Sequence, residues 1–224
     1  MKVFAYTIFA LVAFAFNSIL CRLALRGEEI DAASFTGVRL VSGAVTLIVI
    51  SHFFGKGGSP RAGKGTTESG SWPSAFFLFA YAICFSFAYL GLTTATGALI
   101  LFGSVQMAMI AGALLKGERP GALEWIGLVV AVGGLVYLVF PGLSSPPIVS
   151  SMLMAAAGIA WAAYTLRGKG SVDPLGETTG NFVRTLPFAA LTAIGFLPNV
   201  HLSSRGVVLA VLSGALASGV GYTV

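Results

Sequence analysis

The 224-residue sequence predicts an all-α polytopic membrane protein: an inverted repeat of five-helix units, with about eight spans present of an expected ten. Three observations predict it. Charged residues make up only 9% of the chain, against about 25% in an ordinary soluble domain. The runs 72–115 and 125–166 carry no charge at all, and each is about twice the length that crosses a bilayer core. Finally, the run 158–167 repeats the small-residue and aromatic pattern of 13–22, so that Arg22 and Arg39 recur as Arg167 and Arg184. Two arginines at equal spacing, each pair spanning an acidic turn, mark a duplicated unit.

The spans follow in order. The first covers residues 3 to about 25; no small-x-small cleavage site follows its apolar stretch, so it reads as a retained helix. A polar turn at 26–31 leads to Asp31, the N-cap expected for a second helix that runs to about 54 and holds Arg39 in its first third. The loop 55–71, with Lys56, Arg61, Lys64 and Pro60, resembles no site. An aromatic-rich third span covers about 72–91. Leu92-Thr93-Thr94 then turns the chain into a fourth span ending near 115. The turn 116–120 precedes a fifth span at 122–140, and the uncharged linker 141–147 separates the halves. The sixth span covers about 148–166. Asp173-Pro174 supplies an N-cap followed by proline at the first helical position, and the seventh and eighth spans cover about 175–197 and 204–224. The units are therefore 1–140 and 148–224, the second incomplete with three helices.

Loop charges alternate along this path. Lys2, Lys56, Arg61, Lys64, Lys116, Arg119, Arg167 and Lys169 fall on one side, and Arg22, Arg26 and Arg205 on the other. The positive-inside bias puts the N-terminus in the cytoplasm, and the expected location is the inner or plasma membrane. Five spans before the linker is an odd number, so the second unit enters the membrane the opposite way round. The last residues, 218–224, echo 86–91 near the end of the third span, which reads as a fragment stopping where a fourth-span equivalent would begin.

Residues 97–104 (GALILFGS), the turn Lys116-Gly117-Glu118-Arg119-Pro120, Glu124-Trp125-Ile126-Gly127 and Gly133-Gly134 occur in that order at the end of the first unit. This combination resembles the drug/metabolite transporter superfamily and, within it, the EamA-type members. The resemblance implies ten helices in two five-helix units, both termini inside, and secondary transport or export of small metabolites.

Ionisable groups inside a bilayer are costly, so Arg39 and Arg184 are the first candidates for substrate binding, as cations facing a central cavity and attracting a carboxylate. The competing reading has them snorkelling to an interface. Asn17 in the first span, with Trp161, Tyr164 and Thr165 in the matching part of the sixth, would line a site at the repeat interface, or else pack between helices. Tyr89, Gln106 and Tyr222 are further pocket candidates, while Arg22 and Arg167 read as anchors at helix ends. Glu118 and Arg119 form the expected turn pair.

No carboxylate lies deep in a span, which disfavours a proton or sodium relay. Cys21, Cys84, His52 and His201 form no metal or nucleophile constellation, and no P-loop occurs, so neither an enzyme nor a cofactor is expected. The net charge of +5 resides in loops between spans rather than in a nucleic-acid patch. The expected partners are a small-molecule substrate and the lipid bilayer. The expected function is alternating-access transport of amino-acid-like or other small organic solutes. The alternative is a truncated, non-transporting protein, or an assembly module that needs a partner half.

Overall fold

The computed structural model describes residues 2–54, 69–118, 121–139 and 146–221, and among these the architecture is helical throughout. Lys56, Arg61, Lys64, Arg119, Tyr222 and most of the expected linker lie outside the described residues. The helices are α1 (Lys2–Arg26), α2 (Ala32–Phe54), α3 (Trp72–Ala88), α4 (Thr94–Leu115), α5 (Ala122–Val139), α6 (Ile148–Gly168), α7 (Pro174–Gly195) and α8 (Ser204–Leu212). A short 3₁₀ turn, Leu197–Asn199, separates α7 from α8, and α8 continues as a π-helical segment, Ser213–Val220.

Short polar side chains start these helices by accepting orphan backbone N–H groups. The predicted caps form: Asp31 Oδ1 accepts from Ser34 N at 2.9 Å, and Asp173 Oδ1 from Gly176 N at 3.0 Å. Ser71, Thr93 and Ser203 cap α3, α4 and α8 in the same way. The third helix stops at Ala88 rather than at 91, because the Leu90 and Gly91 N–H groups turn back to carbonyls only three residues earlier, those of Phe87 and Ala88. The eighth is not one regular helix, since its second half widens to π geometry.

Asp31 also titrates outside its usual range. Partial burial opposes ionisation, but hydrogen bonds from Ser34, His201 and Ala33 outweigh it and hold the carboxyl below its ordinary 3.8. A lowered folded-state pKa contributes stability that is complete above the ordinary value and lost as pH falls through the lowered one. The melting temperature of the wild type in detergent should therefore exceed that of Asp31→Asn by a constant margin from about pH 7 to 5, shrinking below about pH 4.

The bundle is built from pairs of helices in close approach. α6 packs along α3 and α4, α2 along α7 and the π segment, and α1 along α8 and the π segment, while α5 packs on α4. Small residues allow this, as the sequence predicts for the runs 108–112 and 214–219. A Cβ on Gly158 would lie 2.8 Å from the Leu101 carbonyl oxygen of α4, and one on Gly219 2.7 Å from Thr46 of α2. Outward surfaces are apolar: Val129, Val130 and Tyr137 of α5 and Phe16, Val45 and Ile159 are all exposed. The stretches Ala32–Phe53, Thr94–Leu115 and Ile148–Gly168 are long and apolar enough to cross a membrane by length and composition.

Candidate functional site

Four helical segments bring one polar side chain each to the middle of the bundle. α1 supplies Asn17, α2 Arg39, α3 Tyr81, and the first residue of the π segment is Ser213. All four are buried. The Tyr81 hydroxyl oxygen accepts from Asn17 Nδ2 and from Arg39 Nη2, both at 3.2 Å, and Ser213 Oγ donates to Asn17 Oδ1 at 2.7 Å. The Arg39 guanidinium also lies over two rings, 5.3 Å from the Tyr81 centroid and 5.2 Å from that of Phe85. Stacking on aromatic faces is how a desolvated guanidinium recovers part of its lost hydration.

A phenol has one O–H to donate. With its oxygen accepting two hydrogen bonds, Tyr81 keeps that donor for a third partner, and its ring borders a small chamber. Phe14, Asn17, Ser18, Phe85, Phe102 and Trp161 are among the other residues that line it. The chamber measures about 20 Å³, room for one water-sized group.

Trp161 has a second side. It closes the inner end of a vestibule of about 260 Å³ lined by Ser74, Tyr164, Thr165, Glu177, Thr178 and Asn181, among others. The indole is held by Tyr81 at 4.7 Å, and by Phe14 and Tyr164 at 5.9 Å each. Trp161 thus lines both the vestibule and the smaller chamber.

The candidate residues from the sequence separate into groups. Asn17, Arg39 and Trp161 come together around Tyr81, with Arg39 behind the tyrosine and not in the chamber wall. Tyr164 and Thr165 line the vestibule instead. Arg184 is elsewhere: its Nη1 donates to the Ser69 carbonyl at 2.6 Å and to that of Gly180 at 3.1 Å, tying the start of α3 to α7. Tyr89 is fully buried against Phe85 and borders neither cavity. Gln106 sits on the exposed side of α4. Arg22 donates to the Tyr89 carbonyl at 2.6 Å and Arg167 Nε to Ser74 Oγ at 3.2 Å, so these two arginines hold opposite ends of α3. Glu118 lies 3.8 Å from Lys169 in an exposed pair.

Tyr81 and Ser213 were not singled out in the sequence. Tyr81 is one ring among many in an aromatic helix, and Ser213 heads a run of small residues; a hydroxyl within an otherwise apolar span was the available signal. Among the described residues, no group of three His, Cys, Asp or Glu side chains gathers to hold a metal ion.

Apolar outward surfaces and helices of crossing length describe a helical membrane protein, here with a polar hub beside a cavity. The chain belongs to the EamA-like transporter family, whose pattern matches residues 1–140, and it is a membrane transporter of the drug/metabolite type. It is 47% identical over 218 residues to the uncharacterized protein PA1977 of Pseudomonas aeruginosa, covering 97% of this chain and 74% of that one. A solved crystal structure superposes with a TM-score of 0.71 at 17% identity, covering 97% of this chain and 77% of the other, which shows a shared fold.

Proposed function

We propose that the protein moves small organic solutes, amino-acid-like metabolites foremost, across the inner or plasma membrane by alternating access. Two inverted repeats, 1–140 and 148–224, would rock about the chamber, with eight spans present and the N-terminus in the cytoplasm. The observation that carries this reading is the exchange symmetry of the packing. α1 packs on α8 and the π segment, as its mate α6 packs on α3; α2 packs on α8 as α7 packs on α3; and the mates α2 and α7 pack on each other.

In this reading the substrate's acceptor group, a carboxylate or carbonyl, takes the Tyr81 O–H. The guanidinium of Arg39 polarises that donor from behind, because hydrogen bonds in series strengthen one another at low dielectric. Asn17 and Ser213 fix the phenol's position, Trp161 and Phe14 contact the apolar part of the solute, and Tyr164 meets it in the vestibule. Arg184 ties α3 to α7, Tyr89 packs in the core, and Gln106 faces outward from α4. The present chamber fits no metabolite, so binding widens it.

Proteoliposomes containing the protein and loaded with a mixture of amino acids and small organic acids test the proposal. At least one solute should leave several-fold faster than from liposomes carrying Tyr81→Phe at equal protein content. Loss of every solute at the rate of empty liposomes would reject it.

A second reading, an assembly module, draws on the outward groove of α1. Its lining residues Val12, Ala13 and Phe16 are repeat mates of Ala157, Gly158 and Trp161 on α6, and Gly158 is where α6 receives α4. A helix of α4's kind would fit there.

A further inference from the structure

The end of the bundle opposite the vestibule is clasped. The turn between α1 and α2 and the segment entering α8 meet as a two-residue antiparallel bridge, Ile30 with Leu202. On one flank the Ser203 N–H donates to the Glu29 carbonyl at 2.8 Å, and on the other the Asp31 N–H donates to the His201 carbonyl at 3.0 Å. Side chains reinforce both flanks. The His201 N–H donates to Asp31 Oδ2 at 3.1 Å, Ser203 Oγ donates to Glu29 Oε2, and Arg205 lies 3.5 Å from Glu29 Oε1. Gly206 is required beneath, since a Cβ there would sit 2.4 Å from the Glu29 carbonyl oxygen.

Among the described residues, the other half of the proposed repeat forms no matching clasp. The mate of the α1–α2 turn is the α6–α7 turn, and the mate of the segment entering α8 is the one entering α3. Those two do not join. Ser69 and Ser71, just before α3, reach past the turn to Arg184 and Asn181, well inside α7. The α6–α7 turn is left standing at the vestibule, where Gly168, Ser171 and Pro174 form part of the rim. Among the described residues, then, one end is held by a backbone bridge, beside a cavity of about 270 Å³ lined by Glu28, Ile30, Asp31 and His201, and the other end has no such bridge.

We infer that Glu29, Asp31, His201, Ser203 and Arg205 form the outer gate of this protein, a clasp that parts when the vestibule closes. The inference rests on the alternating-access reading. In an inverted repeat, exchange of the two conformations opens one end as it closes the other. Backbone pairing and Glu29 are the substance of the clasp. Arg205 is mostly exposed and contributes little, as surface ion pairs do.

Thiol labelling tests the gate without a known solute. With Cys21→Ser and Cys84→Ser, a single reporter Ser18→Cys lies in the chamber wall. A membrane-impermeant maleimide is added to vesicles of each orientation. Glu29→Ala should speed labelling from the clasp side about tenfold, the shift expected from losing one charge-assisted hydrogen bond, with labelling from the vestibule side unchanged or slower. In the same background, Ile30→Cys with Leu202→Cys, oxidised before labelling, should hold labelling of the reporter from the clasp side at its lowest rate. Equal rates from the clasp side for Glu29→Ala, the cross-linked pair and the parent would overturn the gate. Shifted labelling without transport of any solute would keep the gate and reject the transporter reading.

Discussion

Arg39→Ala should reduce transport by about 10- to 100-fold at unchanged protein level, the range that loss of a hydrogen bond from a charged donor covers. The side chain is buried, bonds the Tyr81 hydroxyl and lies across two rings. Alanine leaves Tyr81 held by Asn17 alone, and its O–H loses the cation that polarises it. Arg39→Lys should recover only part of the loss, because an ammonium has no planar surface to stack on Phe85 and Tyr81 together. Tyr81→Phe should cost at least as much. It strips the acceptor from two buried donors at once, and each unsatisfied donor costs about 1–3 kcal/mol. Initial rates of solute efflux, normalised to protein content, measure all three. Equal rates for wild type and Arg39→Ala would remove Arg39 from the mechanism.

Gly214→Ala should lower the melting temperature in detergent by about 5–10 °C, if overpacking costs about 2–3 kcal/mol. A Cβ at Gly214 would lie 2.0 Å from Ser42 Oγ and 2.1 Å from the Arg39 carbonyl oxygen. Ser42 can rotate away, but the Arg39 carbonyl belongs to the α2 backbone and cannot. The π segment would have to lift off α2, carrying Ser213 away from Asn17, so transport should fall with stability. Gly133→Ala in α5 is the matched control. Nothing lies within 4 Å of a Cβ there, and replacing a helical glycine in open space stabilises by about 0.5–1 kcal/mol. Similar melting shifts for the two variants would mean that close approach at Gly214 does not hold this bundle together.

The helices were largely legible because their signals are local. Asp31 and Asp173 cap α2 and α7 where short acceptors precede apolar runs, and the small-residue runs around Gly112 and Gly219 do meet neighbouring helices. Boundaries were less secure where a helix ends without a charged or capping residue. Uncharged sequence continues past Ala88, and α3 ends where the Leu90 and Gly91 N–H groups close on carbonyls three residues back.

The candidate site was half legible. Asn17, Arg39 and Trp161 stood out as polar or amphipathic groups in apolar helices, and they do converge. Arg184 stood out by the same logic and lies elsewhere. An offset in the sequence relates positions along the chain, but which carbonyl an arginine finds depends on where the neighbouring segment runs. For Arg184 that segment is Ser69–Ser71, reaching inward along α7.

By itself, then, the sequence determined that these 224 residues form apolar helices, that a charged turn pattern recurs, and which family the pattern resembles. Composition and periodicity act over a few residues and need no knowledge of distant contacts. Only the tertiary structure decided that Tyr81 is the hub, that Trp161 borders both chamber and vestibule, and that Glu29 and Asp31 meet Ser203 and His201. Each of these depends on which faces of separate helices meet, and in a bundle of uniformly apolar helices that choice is made by close packing at glycines and by a few buried hydrogen bonds between residues far apart in the chain.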